Sequence, residues 1–282
     1  MKQFILNTNP DRDGLIRLDG DDYHYLVRVR RLAVGEFFPA RLPCGEEALV
    51  QIRLIDSGVI VGKCTENIPS SGSIDFPGQA DSSTVSGVLP PLILFQALPK
   101  GDKMDLIVRQ AAEGGISEIV PFVSEFSVAK TGAVGQKFSR WERIIKEARQ
   151  QSGSKIATAL HKPLTKNELF DYWKETGGEG ALGLLFHHDI SYKSVNNEVR
   201  QKGLDNNSLH GYLKICPKKI AFAIGPEGGF SDKEVSVFAE SGFKLLTIGD
   251  TVLRAETAAL YCAAAIKIIL LVRYTWEMSK AK

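Results

Sequence analysis

Cysteine is scarce in this chain and badly spaced for metal. Cys44, Cys64, Cys216 and Cys262 are the only four, and no two of them stand in a C-x-x-C pair. Structural zinc needs such neighbouring thiolates, so the spacing argues against a metal centre, and scattered free thiols suit a reducing cytoplasm. A secretory signal is lacking as well, because the apolar part of MKQFILNTNPDRDG is too short and turns acidic too soon. No hydrophobic run is both long and clean. Ala258 to Val272 is interrupted by Lys267 and flanked by Glu256 and Arg273, which fits a buried helix better than a membrane span. A strong charge of either sign is also missing. With a formal net charge of +2, bulk charge neither requires nor excludes nucleic acid, so any such partner must be argued from local patches.

What is present is ample core and two kinds of pattern. At 282 residues with 44% hydrophobic content the chain is long enough for two domains. Residues 1–70 carry short apolar runs broken by glycine and aspartate (FILN, GLIRL, GEFFPARL, EALVQIRLI, GVIVGKC), which predict a small β-barrel. Within it DYHYLVRVRRL sets Arg28, Arg30 and Arg31 beside His24 and two tyrosines. Such a cluster can hold a phosphate backbone and stack a base. The plainer alternative is a solvated face whose charge is offset by Asp19, Asp21 and Asp22. The Ser-, Gly- and Pro-rich stretch from Pro69 to Gly87 predicts a linker over 71–88, and residues 89–282 then form the second domain.

In that second domain strands alternate with helices, which implies a parallel sheet. Leu92 to Leu98 reads as a strand, PKGDK as a turn, Asp102 to Glu113 as a helix stopped by Gly114 and Gly115, and Ile116 to Val123 as the next strand. PKGDK lacks the glycine spacing and the Lys-Ser or Lys-Thr ending of a phosphate loop, so no nucleotide role is assigned to it. Capping-box spacings at Ser139/Glu142, Thr165/Glu168 and Ser231/Glu234 predict three helix starts. Ala181 to Phe186 is a buried strand ending on His187 and His188, and Ser191 to Pro217 reads as a long surface insertion. Paired histidines at a loop start are usually idle, although one at a strand end can bind ligand or act as a base.

The stretch from Lys219 to Ala265 repeats one unit twice. Each strand, Ile220 to Ile224 and Phe243 to Ile248, delivers the chain into a polar or glycine-rich loop and then a helix. Both loops should emerge at the edge of the parallel sheet where open α/β sheets place ligands. GPEGG is neither a dinucleotide nor a phosphate-loop fingerprint, yet its glycines permit close backbone approach. Arg254 and Glu256 follow a buried strand directly, where solvation alone is a poor explanation. The structural alternative is an ion pair of Arg254 with Glu256 or Glu227 that merely fixes the loops.

Taken together, IGPEGGFSDKEV and LLTIGDTVLRAETAAL resemble the paired cofactor loops of the SPOUT methyltransferase superfamily, and in particular its RsmE type, which methylates uridine N3 in 16S ribosomal RNA. HYLVRVRRLAVGE, LPKGDKMDLIVRQAAEGGISEIVPF and RWERIIKEARQQSG are similar to further segments of that family. The resemblance implies a PUA-like β-barrel, an α/β domain with a deep trefoil knot, a homodimer and S-adenosylmethionine as cofactor, with no metal and no membrane. Carried over by position, Phe186, His187, Gly225, Gly229, Ile248, Gly249, Leu253 and Thr257 would hold the cofactor. Arg254 would stabilise charge on the uracil ring, and Glu227 or Glu256 would orient it or relay the proton. His24, Arg28, Arg30 and Arg31 would meet RNA. The chain departs from the family at Gln110 and Gly114, at Phe126, where the family has an arginine between Glu and Ser, and at Ser154. These departures leave open a second expectation, a dimer that binds RNA without catalysis or acts on a different RNA.

Overall fold

A computed structural model describes residues 4–65, 89–128, 135–187, 208–247 and 251–280. The chain divides into two compact units, Met1–Asp81 with Arg149–Ala157, and Ser82–Ala148 with Thr158–Lys282. The predicted linker and the histidine at 188 fall outside the described residues.

The first unit is built on five strands: β1 (Phe4–Ile5), β2 (Leu15–Leu18), β3 (Phe37–Arg41), β4 (Glu47–Asp56) and β5 (Val59–Thr65). They form one sheet in the order β1-β3-β4-β5-β2, antiparallel except for β1 on β3. The sheet curls around Phe4, Leu26, Phe38, Val50, Ile52 and Ile60 as a half-barrel of the expected PUA-like kind. Each apolar run of the sequence became a strand, because alternation puts one face inward. Between β2 and β3 come a short helix, α1 (Gly20–Tyr23), and a π-helical turn, His24–Val29, that buries only Leu26. Gly45, in the β3–β4 turn, has φ +101, and a Cβ there would stand 2.1 Å from the Lys155 carbonyl oxygen. Only glycine fits that contact.

The second unit holds a six-stranded sheet: β6 (Leu92–Ala97), β7 (Glu118–Phe122), β8 (Ala159–Leu160), β9 (Ala181–Phe186), β10 (Lys219–Ile224) and β11 (Lys244–Leu246). The order is β11-β9-β10-β6-β7-β8 and every pairing is parallel. Its central strands read as continuous apolar runs because both faces are covered. One face packs on α2 (Lys103–Glu113), α3 (Gly135–Ser152) and α7 (Ala255–Lys280), through residues such as Leu94, Ile107, Trp141 and Ile266. The other packs on α4 (Lys166–Thr176) and α6 (Asp232–Glu240) around Phe95, Phe122, Leu169 and Phe238. The trefoil knot that the resemblance implies depends on the path through 188–207 and 248–250, which lies outside the described residues.

Two of the three expected capping boxes form. Thr165 and Ser231 each accept from the amide three residues on, while Glu168 and Glu234 reach back to the cap amide. Ser139/Glu142 does not, because α3 begins at Gly135 and Ser139 lies inside it. A cap contributes about 1 kcal/mol, whereas fully burying a large apolar side chain contributes roughly 1.5–3 kcal/mol, of which the partly buried Phe138 gains a share, added to that of the four buried residues of its stripe. Phe138 packs against the core and extends the stripe of Trp141, Ile144, Ile145 and Ala148 backwards by one turn. Burial outweighs capping and sets the helix start. A further correction concerns the supposed insertion 191–217. Residues 191–207 are not described, but α5 (Leu209–Tyr212) and the fully buried Leu213 pack into the core.

Gly242, at φ +87 just past α6, ends that helix. The last helix, α7, is long and apolar enough over Ala255–Arg273 to cross a membrane by length and composition. Ala259, Cys262, Ala263, Ile266 and Leu270 instead pack into the protein core. Lys267 donates to the carbonyls of Gly114 and Gly115 at the end of α2, where burial lowers its pKa.

Candidate active site

Three strand ends, those of β9, β10 and β11, stand side by side at one edge of the parallel sheet. Their loops therefore converge, which is the arrangement expected from the strand–loop–helix repeats. His187 is tied to its neighbour strand through its amide, which donates to the Leu246 carbonyl at 3.0 Å. The GPEGG loop is closed by the Gly229 amide donating to the Pro226 carbonyl at 2.9 Å. A Cβ on Gly225 would lie 3.1 Å from Gly229 Cα, and Gly229 itself has φ +70. Glycine is thus needed at both positions, once for packing and once for conformation.

The loops enclose a cleft. Its floor is Phe186, Ile224, Ala258 and Cys262, and its walls are Gly225–Glu227 with Gly229 and Phe230 on one side and Thr251–Leu253 with Ala255 on the other. Burial pushes the Cys262 thiol up to about 12, so it serves as a packing group and not as a nucleophile. Of the expected cofactor residues, Phe186, His187, Gly225, Gly229 and Leu253 line the cleft. Ile248 and Gly249 fall outside the described residues. Thr257 is exposed in the first turn of α7 and does not line the cleft.

The charged groups are arranged differently from the ion pair that the sequence allowed. Glu227 pairs with Lys103, 2.5 Å from its ammonium, and also accepts from the Lys100 amide at 3.2 Å. Partial burial alone would raise the Glu227 pKa, but the Lys103 ammonium and the backbone amides outweigh it and hold the carboxyl below its usual value. Lys103 lies 4.0 Å from Glu256 Oε2, a buried oxygen with no hydrogen-bond donor among the described residues. Arg254 is exposed and its guanidinium forms no ion pair among the described residues, while its carbonyl accepts from the Ala258 amide and opens α7. PKGDK thus reaches the wall of the cleft through Glu227, because β6 delivers it to the same sheet edge; its position directly after a strand is the sequence signal that points there.

In the first unit His24, Arg28 and Arg31 are exposed and Arg30 is half-buried, all on or beside the π-helical turn. Of the three aspartates beside them, Asp19 lies 4.0 Å from Arg17 and Asp22 accepts from Asn7. Arg28, Arg30 and Arg31 form no ion pair among the described residues.

With this geometry in hand, comparison with known proteins is decisive. Residues 88–267 match the model of an RNA methyltransferase domain, and residues 18–60 match an RNA methyltransferase PUA domain. A ribosomal RNA small subunit methyltransferase E from Aquifex aeolicus is 33% identical, covering 86% of this chain and 90% of its own. A second, from Borreliella burgdorferi, is 31% identical, covering 96% and 98%. The chain belongs to the ribosomal RNA small subunit methyltransferase E family. Solved structures agree on the fold of this family. A member from Neisseria gonorrhoeae bound to S-adenosyl methionine is 20% identical, with 95% of this chain and 98% of that chain covered and a TM-score of 0.70. A probable rRNA-methyltransferase from Porphyromonas gingivalis is 21% identical over 97% of this chain and 100% of its own, with a TM-score of 0.71.

Proposed function

We propose that this chain transfers a methyl group from S-adenosylmethionine to N3 of a uridine in 16S ribosomal RNA, with Arg254 and Glu256 as the polar groups that act on the base. The observation that carries this reading is the cleft at three adjacent strand ends, whose lining residues Leu253 and Ala255 are each followed in the chain by a polar group: Arg254, without an ion pair among the described residues, and Glu256, with an oxygen that has no hydrogen bond among them. The cleft suits the cofactor. Apolar Phe186, Ile224 and Leu253 can hold a flat ring, and two obligatory glycines bring backbone amides and carbonyls to its edge.

When bound, S-adenosylmethionine supplies an electrophilic sulfonium methyl group. Uridine N3 carries a proton and attacks poorly until it is lost, so the protein must hold the ring in line and stabilise its negative charge. The guanidinium of Arg254 faces the uracil oxygens, where charge gathers, and remains cationic throughout. Glu227 is occupied by Lys103 and the Lys100 amide, so it orients Lys103 and does not take the proton. That leaves Glu256 Oε2 as the acceptor.

The homodimer is supported by one face of α7. Leu260, Tyr261, Ile268 and Val272 are exposed and recur at helical spacing opposite the core-facing residues. A second copy would cover them, which also suits an apolar helix in a protein whose cytoplasmic RNA target calls for no membrane. The RNA footprint on the first unit is Arg28, Arg30 and Arg31 with His24.

Mapping N3-methyluridine in small-subunit ribosomal RNA from cells with and without the protein tests the reading directly, with calorimetric titration of S-adenosylmethionine beside it. Loss of one modified uridine on deletion is expected. An unchanged map together with intact RNA binding would favour the RNA-binding dimer instead. Neutralising Arg28, Arg30 and Arg31 to Gln should weaken RNA binding and reduce the slope of log K against log salt by roughly two to three. An unchanged slope would put the RNA elsewhere.

A further inference from the structure

We propose that Phe126 is a stacking platform for an RNA base at the rim of the methyl-transfer cleft, a role that rests on the RNA methyltransferase reading above. The turn after β7 is held on several sides. The Ser127 amide donates to the Ser124 carbonyl at 3.1 Å, and the Ser124 amide donates to Ser127 Oγ at 3.2 Å. Glu125 ties this turn to the start of α6 twice over. Its amide donates to Glu234 Oε1 at 2.8 Å, and its carboxylate accepts from Ser231 Oγ at 2.7 Å. Glu234 is fully buried and also accepts from the Ser231 amide, so the anchor is part of the capping box. The helix that follows the GPEGG loop therefore fixes the position of residue 126.

The side chain so fixed is a phenylalanine left 47% exposed. It is excluded from the aromatic core beneath, where Phe122 stacks on Phe230 at 6.2 Å between ring centres and Phe230 meets Phe238 at 5.4 Å. Instead it lies on the cofactor loop itself: a Cβ built on Gly228 would be 3.0 Å from Phe126 Cβ and 3.3 Å from Cγ. Gly228 stands between Glu227 and Gly229, both of which line the cleft. A flat apolar ring thus rests on the loop that forms one wall of the cleft, on a turn that these hydrogen bonds hold in place. The ring rests one side on Gly228 and leaves about half of its surface open.

An unstacked nucleotide is the occupant with matching chemistry. To reach N3, the enzyme must hold a base out of its stack, and splayed bases are held on aromatic side chains through their faces. Stacking of this kind is indifferent to base identity and to salt, unlike the arginine contacts of the first unit. Phe126 therefore contributes grip and orientation, with selectivity left to the polar groups that meet N3.

The test compares Phe126→Leu and Phe126→Trp with the unaltered protein, using a short single-stranded oligouridylate as the binding probe. The leucine variant should bind it roughly tenfold more weakly, with an unchanged salt slope, unchanged S-adenosylmethionine affinity and unchanged thermal stability, since the ring is not core. The tryptophan variant should bind at least as tightly as the original. Equal RNA affinity in the leucine variant would overturn the proposal. So would a shift in its sedimentation behaviour, which would mean that the ring packs on a second copy. If the unaltered protein binds neither probe nor cofactor, the methyltransferase reading fails first; if it binds both and leucine changes nothing, only the platform fails.

Discussion

Arg254→Ala is expected to reduce methyl transfer by about 100- to 1,000-fold, the range found when one preorganised donor is removed from a charge-stabilising site. The fold should survive this change almost untouched. The Arg254 side chain is exposed and makes no ion pair among the described residues, and the contact that opens α7 runs through its backbone carbonyl to the Ala258 amide. Cofactor affinity should also hold, because the cleft is lined by its neighbours Leu253 and Ala255 and not by Arg254 itself. Single-turnover kinetics with saturating RNA and cofactor is the measurement, with calorimetry and a melting curve as controls. Arg254→Lys should recover part of the rate, since the charge returns without the planar fork that can face two oxygens. Turnover equal to the original in the alanine variant would remove Arg254 from the chemistry.

How much of this was legible in the sequence depended on how local each determinant is. The strands were legible, since alternation and buried runs are set within a few residues. Ser231/Glu234 and Thr165/Glu168 could be read for the same reason. Ser139/Glu142 has the same spacing and failed, because Phe138 one residue earlier gains more by burial than a cap provides. β8 gave no signal at all; two residues pair with β7 only because the sheet is already there. Leu213 looked like part of a polar insertion, and only the finished core shows why it is apolar.

The site divides along the same line. Strand, loop and helix order placed the two loops at one sheet edge, and the family resemblance picked out Phe186, His187, Gly225, Gly229 and Leu253 within them, which do meet in one cleft. The partner of Glu227 could not be placed in this way. Lys103 lies 124 residues away in the sequence, in a loop whose relevance comes from the position of β6 next to β10 in the sheet. Of the ion pairs that the converging loops allowed, Arg254 with Glu227 or with Glu256, neither forms among the described residues, and Lys103 takes Glu227 instead. The energetic weight of that pair is modest: both side chains are about a third exposed, and a pair screened by solvent contributes about 1 kcal/mol or less. What it decides is which groups keep hydrogen-bonding capacity: Glu227 is bonded to Lys103 and the Lys100 amide, whereas Arg254 forms no ion pair and Glu256 Oε2 no hydrogen bond among the described residues.

That division makes Glu256→Gln the sharper test of proton transfer. Glu256 stands in the first turn of α7, where the helix end favours negative charge, and its side chain is 13% exposed. Oε2 has no hydrogen-bond donor among the described residues, and Lys103, which Glu227 holds, stays 4.0 Å away. An acceptor kept free in a buried position matches the need to receive the N3 proton. Glutamine preserves the shape and removes the basicity, so the rate should fall by about 100- to 10,000-fold while cofactor binding stays constant. Raising the pH should restore part of the loss, because uridine then ionises without help; the unaltered protein should gain less over the same interval. Glu227→Gln should behave differently. It releases Lys103 toward Glu256, so the rate should fall by a smaller factor and the rescue by alkali should be weaker. If Glu227→Gln shows the larger loss and the stronger rescue, the proton goes to Glu227 and the roles of the two carboxylates must be exchanged.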